Sequence, residues 1–377
     1  MSDRLVVIGG DAGGMSAAAQ ARRLRADLEI VVFERGSYTS YAACGLPYFV
    51  GDEVTDRDSL VARTPEQFRE QGIDVRTRHE VVAIDTAART VDVTDLDTGT
   101  TSTEPYGELL IATGATPILP PLPGIDGPGV FDIRTIPDAD AIRSAIEDGA
   151  RRAAVVGGGY IGVEVAEAFV TRGLEVTLLE LADQPMPTLD ADMAELVTKA
   201  LVDLGITVRL GTAVTGFVSS DDSLSAVDTT DGPVPADLAV VGLGVRAELD
   251  PRGRRRHPHR SRRRDHRRRT PAHARRRRVG GRRTASSHGT GSPERAWSWR
   301  SAPTPTSKGG SPDPTSAAPR RPSAASSVPL ITRVGAVEVA RTGLTEKEAS
   351  AHGLDAFAVT TKGLVRAHYF PVPTPSP

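Results

Sequence analysis

One cysteine, Cys44, is all the thiol that the 377 residues contain. No internal disulfide can therefore form, and any sulfur chemistry must run through one atom. Lysine is scarce as well, four residues against 42 arginines, a bias that points to a GC-rich gene. No apolar run reaches the roughly 18–20 residues that a membrane span needs, so no membrane partner is expected. The first apolar run, "RLVVIGG" from Arg4, has no basic-then-apolar leader ahead of it, and the cytoplasm is the expected location.

Net charge is scarce only on average. The total is −2, but 17 arginines and one acid (Asp265) fall between residues 252 and 283. Elsewhere 29 basic residues face 47 acidic ones, a net of −18. An ordinary acidic protein thus carries one intensely basic insert.

Glycine is plentiful, and it is patterned. "RLVVIGGDAGGMSAAAQARRL" reads as a buried strand, a glycine turn and an Ala-rich helix. A pyrophosphate needs close backbone approach and free N–H groups at a helix start, which glycine supplies. Gly9 and Gly14 hold the first and third glycine places of GxGxxG, while Asp11 stands at the second. The next strand, "LEIVVFERG", ends in Glu34, 20 residues after Gly14, where a carboxylate can hold ribose hydroxyls. The pattern recurs in "RRAAVVGGGYIGVEVAEAFVTRGLEVTLLE", with Gly157, Gly159 and Gly162 in a complete GxGxxG and Glu180 closing the following strand. No arginine follows Glu180 directly to meet a 2′-phosphate, which favours NADH over NADPH. "YGELLIATGATP" (106–117) and "ADLAVVGLGVRAELD" (236–250) each read as a strand breaking into a glycine turn.

Between the two glycine patterns lies "SYTSYAACGLPYFVGDE", in which Ser40 precedes Cys44-Gly45-Leu46-Pro47-Tyr48. A lone cysteine is more often an inert buried residue than a catalyst. Its place just beyond Glu34 reverses that reading. With no partner thiol, Cys44 must pair with a small thiol or oxidise to a sulfenic acid.

On these motifs the chain resembles the two-dinucleotide-domain flavoprotein disulfide reductases, and among them the coenzyme A-disulfide reductase and NADH oxidase branch. The resemblance runs from Met1 to about Asp250 and again from Ile331 to Phe370. It implies an α/β fold with two Rossmann-like, three-layer domains and Cys44 as the catalytic thiol. FAD would bind at Gly9, Gly10, Ala12, Gly13, Gly14, Glu34, Arg35, Thr113 and Gly114. NADH (or NADPH) would bind at Gly157, Gly159, Tyr160, Ile161, Gly162, Glu180 and Gly244. A small disulfide, most of all coenzyme A-disulfide, would contact Ser16, Gln20, Arg23 and Ser40. The family's homodimer is also implied. In the coenzyme A-disulfide branch Asn usually precedes the cysteine; here Ala43 does.

The implied domains are a first FAD-binding part at 1–117, its second part within 245–300, an NAD(P)H-binding domain at 118–244, and a truncated α+β dimerisation domain at 330–371. Residues 251–329 break this scheme. The family carries an Ala-Ala-Gly-Asp motif there, whose Asp holds the flavin ribityl chain, and none is visible. The segment has no apolar periodicity and cannot bury a core, so it reads as a disordered insert. An arginine block binds phosphate, but this one would interrupt a flavin domain without aromatic interleaving, and no nucleic-acid partner is expected. Out-of-frame translation explains more. "RSAPTPTSKGGSPDPT" (300–315) can be encoded by codons that, one base over, give "LGTHANKQGRVAGSN", which is family-like. "DPRGRRRHPHR" (250–260) can hide "DLAGAAGIPIG", and "RVGGRRTASS" (278–287) can hide "VWAAGDRVV" after a further slip. Three readings therefore stand: a flavin-dependent disulfide reductase, an NADH oxidase or peroxidase cycling Cys44 sulfenic acid, and a frameshifted, catalytically dead remnant.

Overall fold

Runs of Val, Ile and Leu set the frame of the computed structural model, which describes residues 3–220, 223–248, 330–355 and 357–360. The first unit opens with β1 (Arg4–Ile8), α1 (Ala12–Leu24) and β2 (Glu29–Phe33). A 3-10 turn, Ala43–Gly45, runs directly into α2 (Leu46–Val50), and α3 (Pro65–Glu70) starts from a Thr64–Gln67 capping box. Then come β3 (Ile73–Arg76), an antiparallel meander of β4 (His79–Asp85), β5 (Thr90–Asp95) and β6 (Thr101–Pro105), and finally β7 (Glu108–Ile111) and β8 (Ala115–Pro117). The parallel sheet has the order β3-β2-β1-β7. Alternation along its strands sends Val7, Ile30 and Val32 toward Met15, Ala18 and Phe68, and Val6, Val31 and Phe33 toward Val81, Val91 and Val93. Buried on both faces, the strands need no polar side. Three layers result.

The second unit repeats the plan. It contains β9 (Val130–Phe131), α4 (Ile136–Glu147), β10 (Arg152–Val156), α5 (Tyr160–Thr171), β11 (Glu175–Leu179), α6 (Ala191–Asp203) and β12 (Thr207–Arg209). A meander of β13 (Val214–Ser220), β14 (Ser223–Thr229) and β15 (Val234–Pro235) precedes β16 (Leu238–Val241) and β17 (Val245–Ala247). Its parallel sheet has the order β12-β11-β10-β16-β9. Val155, Leu178 and Val240 pack under Val163, Phe169 and Leu201, while Val156, Leu179 and Val241 pack over Phe217 and Val227. The antiparallel pair β8·β17 joins the two units, with Val245 opposite Pro117.

The repeats differ at one edge. β16 is flanked by β9, whereas β7 has no outer neighbour among the described residues, and Ile111 is 47% exposed. The arginine-rich run and residues 361–377 lie outside the described residues, as does all but residues 245–248 of the stretch 245–300 where the second part of the flavin domain is expected. Of the stretch expected at 330–371 to be a truncated dimerisation domain, the hairpin β18 (Leu330–Val334) and β19 (Val337–Arg341) and the short α7 (Glu346–Ala351) are described. Val334 is fully buried in the second unit's core, and Arg333 pairs with Glu53 at 3.1 Å. Among the described residues no helix is long and apolar enough to cross a membrane.

Packing places α2 where chain order does not. Its Leu46, Phe49 and Val50 join the core of the second unit, against α4 and α5. Arg143 lies over the Phe49 ring at 4.5 Å and reaches Asp52 at 2.9 Å, and Arg172 donates to the Val50 carbonyl at 3.1 Å. The helix that follows Cys44 therefore belongs to the first unit by sequence and to the second by burial.

Asp237 locks the start of β10. Its carboxylate accepts from the Arg151 and Arg152 amides at 2.9 Å each and from Arg152 Nε at 3.2 Å. The Arg152 guanidinium, then the two amides, hold its pKa down at about 2. A depressed carboxylate stabilises the fold above its unfolded value near 3.8, and that contribution is lost as pH falls toward 2. Because the pair is partly exposed and screened by solvent, it is worth about 1 kcal/mol. Asp237→Asn is expected to lower the melting temperature by about 2–4 °C at pH 7. Urea midpoints of the two proteins should converge as pH drops below 3, and a gap that persists unchanged there would contradict the assignment.

Candidate active site

Each glycine turn is built by steric necessity. Gly9 has φ +103, and a Cβ there would lie 2.3 Å from the Ala112 carbonyl oxygen; Gly157 has φ +106, with the Gly242 oxygen 2.6 Å from such a Cβ. A Cβ on Gly14 or Gly162 would sit 1.9 Å from the oxygen of Gly9 or Gly157. Side chains at these positions would push the helix off its strand. The helix starts themselves stay open. Nothing lies within 4 Å of a Cβ built on Gly159, and Gly13 meets only the Ala112 methyl at 3.9 Å. That room beside free amides suits a pyrophosphate at both α1 and α5.

Both expected ribose carboxylates have structural duties as well. Glu34 accepts from the Gly10 amide through one oxygen and the Gly36 amide through the other, each at 2.7 Å. Glu180 does the same for Gly158 at 2.6 Å and Ala182 at 2.8 Å. Each oxygen keeps a second lone pair for a hydroxyl. Ala12 is the first residue of α1, and Tyr160 and Ile161 open α5. The Tyr160 hydroxyl is buried with no hydrogen-bond partner among the described residues. Gly114 (φ +74) and Gly244 (φ +88) turn the chain at the ends of β7 and β16. Thr113 Oγ1 donates to the Glu248 carbonyl at 2.6 Å, and Arg35 pairs with the Glu248 carboxylate at 3.4 Å and with Glu80 at 3.9 Å. Arg35 thus fastens the end of the β8·β17 ribbon beside Glu34.

Cys44 is exposed in the 3-10 turn ahead of α2. The loop that carries it is pinned to the first glycine turn at three successive residues. Thr39, fully buried, donates its hydroxyl to the Gly10 carbonyl, and the Ser40 amide donates to the same oxygen at 2.9 Å. Next, the Tyr41 amide donates to Asp11 Oδ1 at 3.2 Å. Ser40 takes the left-handed φ of +51, unusual for a residue with a side chain. On the far side, a Cβ on Gly45 would come within 2.7 Å of Leu60, so the turn fits closely over α2's core.

Ser16, Gln20 and Arg23 lie on one exposed stripe of α1 at spacings of four and three. Gln20 Oε1 accepts from Arg23 Nε at 3.0 Å. Ser40 reaches the N-terminal end of that helix through its bond to Gly10. Three residues were not legible as site residues. Thr39 and Arg134 carry no sequence signal, although Arg134 donates to the Thr113 carbonyl at 3.4 Å. Glu164, one turn beyond Tyr160, accepts from Thr332 at 2.7 Å, and burial pushes its carboxyl above the ordinary range.

Two copies of a dinucleotide-binding type of fold, with one exposed thiol on a loop tied to the first glycine turn, define the class of fold. The chain belongs to the pyridine nucleotide-disulphide oxidoreductase family, whose sequence pattern matches residues 3–267. It is 36% identical over 250 residues to an NADH oxidase of Methanocaldococcus jannaschii, covering 66% of this chain and 55% of that protein. Similarity to a coenzyme A disulfide reductase of Staphylococcus haemolyticus is 37% identity over 258 residues, 68% of this chain and 54% of that one. The water-forming NADH oxidase from Lactobacillus brevis, solved bound to NADH, superimposes with a TM-score of 0.61 at 34% identity, covering 64% of this chain and 54% of that chain. The chain spans about half the length of the curated relatives it matches.

Proposed function

We propose that this chain derives from an FAD-dependent oxidoreductase that passes electrons from NADH to a small disulfide, coenzyme A-disulfide foremost. The observation that carries the reading is the pinning of exposed Cys44 to the first glycine turn, with its helix packed on the second nucleotide unit. Gly9, Gly10, Ala12, Gly13, Gly14, Glu34, Arg35, Thr113 and Gly114 would hold FAD. Gly157, Gly159, Tyr160, Ile161, Gly162, Glu180 and Gly244 would hold NADH, because the Glu180 carboxylate repels a 2′-phosphate. Bound there, the two cofactors supply an electron pair from nicotinamide through flavin to sulfur. The Cys44 thiolate attacks one sulfur of the substrate disulfide; that S–S bond breaks, a coenzyme A thiolate leaves, and a Cys44–S–S–coenzyme A bond forms. Ser16, Gln20, Arg23 and Ser40 orient the substrate over Cys44, with the Arg23 guanidinium suited to a phosphate.

The likeness to NADH oxidases supports a second reading, in which Cys44 cycles through a sulfenic acid. Residues 251–329 are best read as out-of-frame, so the chain as it stands is a weakened descendant of the active enzyme. Anaerobic NADH oxidation tests the first reading, since each NADH with one coenzyme A-disulfide should release two thiols. Consumption of oxygen or peroxide without disulfide would move the assignment to the oxidase. A colourless protein that oxidises no NADH, even with its reading frame restored, would sink both.

A further inference from the structure

The second glycine place of the first turn is filled by Asp11, and nothing in the backbone asks for glycine there: its φ is −105. Its side chain makes no capping hydrogen bond into α1, although the Ala12 amide at the helix start favours its charged form. It turns instead to the redox loop and accepts the Tyr41 amide at 3.2 Å. The other two pins of that loop, from Thr39 and Ser40, end on the backbone carbonyl of Gly10. Asp11 therefore supplies the one side-chain acceptor among the three pins, and its partner Tyr41 is the pinned residue nearest to Cys44 in sequence. Tyr41 is fixed on two more sides, through its hydroxyl to the Arg134 carbonyl at 3.3 Å and through an antiparallel bridge to Val61. Three residues later the chain reaches Cys44.

We propose that Asp11 is a positioning residue for Cys44, setting the thiol's place relative to the stripe of α1 that carries Ser16, Gln20 and Arg23. The proposal rests on the disulfide-reductase reading and deepens it. Asp11 is the N-cap residue of that same helix. One carboxylate thus joins the helix proposed to grip the substrate to the loop that attacks it. Burial pushes the Asp11 carboxyl upward, partly offset by the Ala12 and Tyr41 amides, with Glu34 adding to the rise and Arg134 opposing it. A half-buried acid facing another acid is costly. It is retained where its acceptor oxygen has work to do.

Asp11→Asn keeps an acceptor at Oδ1; Asp11→Ala removes it. In the full 377-residue chain, mixed-disulfide formation between Cys44 and coenzyme A-disulfide can be followed by mass, and this half-reaction needs no flavin. Asp11→Ala is expected to slow it by about tenfold or more, while alkylation by iodoacetamide, which needs no orientation, stays within about twofold. Asp11→Asn should restore most of the disulfide rate. Equal disulfide rates in all three proteins would overturn the proposal, as would a parallel fall in alkylation. If the parent reacts no faster with coenzyme A-disulfide than with glutathione disulfide, the substrate reading fails by itself. Hydrogen exchange of the amides from Thr39 to Cys44 then decides the role of Asp11. Faster exchange by about tenfold in the alanine variant alone supports the tie, and unchanged exchange removes it.

Discussion

Cys44→Ser, made in a frame-restored chain, is expected to keep its flavin and its reduction by NADH, yet to release no thiol from coenzyme A-disulfide. Serine fits the same 3-10 turn, so neither the pins from Thr39, Ser40 and Tyr41 nor the packing of α2 should change. What changes is the reaction. A hydroxyl is a poor nucleophile near neutral pH and cannot form an S–S bond, so the mixed disulfide has no way to arise. Within the residues that both chains share, no second cysteine stands ready to substitute. The loss should be essentially complete, read as thiol release under anaerobic conditions beside the bleaching of flavin by NADH. Unchanged turnover would remove Cys44 from the mechanism.

Restoring the reading frame should produce the next largest effect. Removing one base near codon 251, one near 283 and one near 328 is expected to yield a continuous flavoprotein-like sequence. Among the described residues the outer edge of β7 has no neighbouring strand. In the second unit the equivalent strand β16 is covered by β9, while Ile111 on β7 stands exposed. By the family resemblance, the restored stretch also brings the Asp that holds the ribityl chain. A charge-assisted contact of that kind is worth roughly 1.5–3 kcal/mol. FAD should therefore bind the restored chain about 10- to 150-fold more tightly, before any gain from covering the sheet edge. Flavin absorbance and NADH-dependent disulfide reduction of the two chains, purified side by side, decide the matter. Equal occupancy and equal rates would show that residues 251–329 matter little. Codons incompatible with the hidden "AAGD" and "GTHANKQG" would end the frame hypothesis outright.

Sequence reading went furthest where chemistry is local. The glycines at 9, 14, 157 and 162 and the strands before them are short-range patterns with one physical solution each, and the glutamates at 34 and 180 close the following strands as their spacing predicts. The place of Cys44 just ahead of a helix was legible because its neighbours and its distance from Glu34 are local too. The second role of Glu34, holding the Gly10 and Gly36 amides, was not legible, because a carboxylate at that spacing announces a ribose partner equally well. The allegiance of α2 to the second unit was hidden for another reason. Its apolar residues say only that it is buried, and the partners, on α4 and α5, lie about 90–120 residues away. Asp11 stood in plain view as a departure from GxGxxG, but the amide that it holds is 30 positions downstream.

That distant allegiance has a consequence for synthesis. A chain emerges from its N-terminus, and α2 is made long before α4 and α5 exist to cover it. About 120 residues separate the end of α2 from the end of α5. At roughly 5–20 residues per second, the apolar face behind Cys44 waits on the order of 6–24 s for its partners. Throughout that interval the loop can already tie back to Gly10 and Asp11, but the apolar face of α2 behind the thiol lies open to any apolar surface nearby. Its vulnerable period is thus set by the position of a helix more than a hundred residues further on.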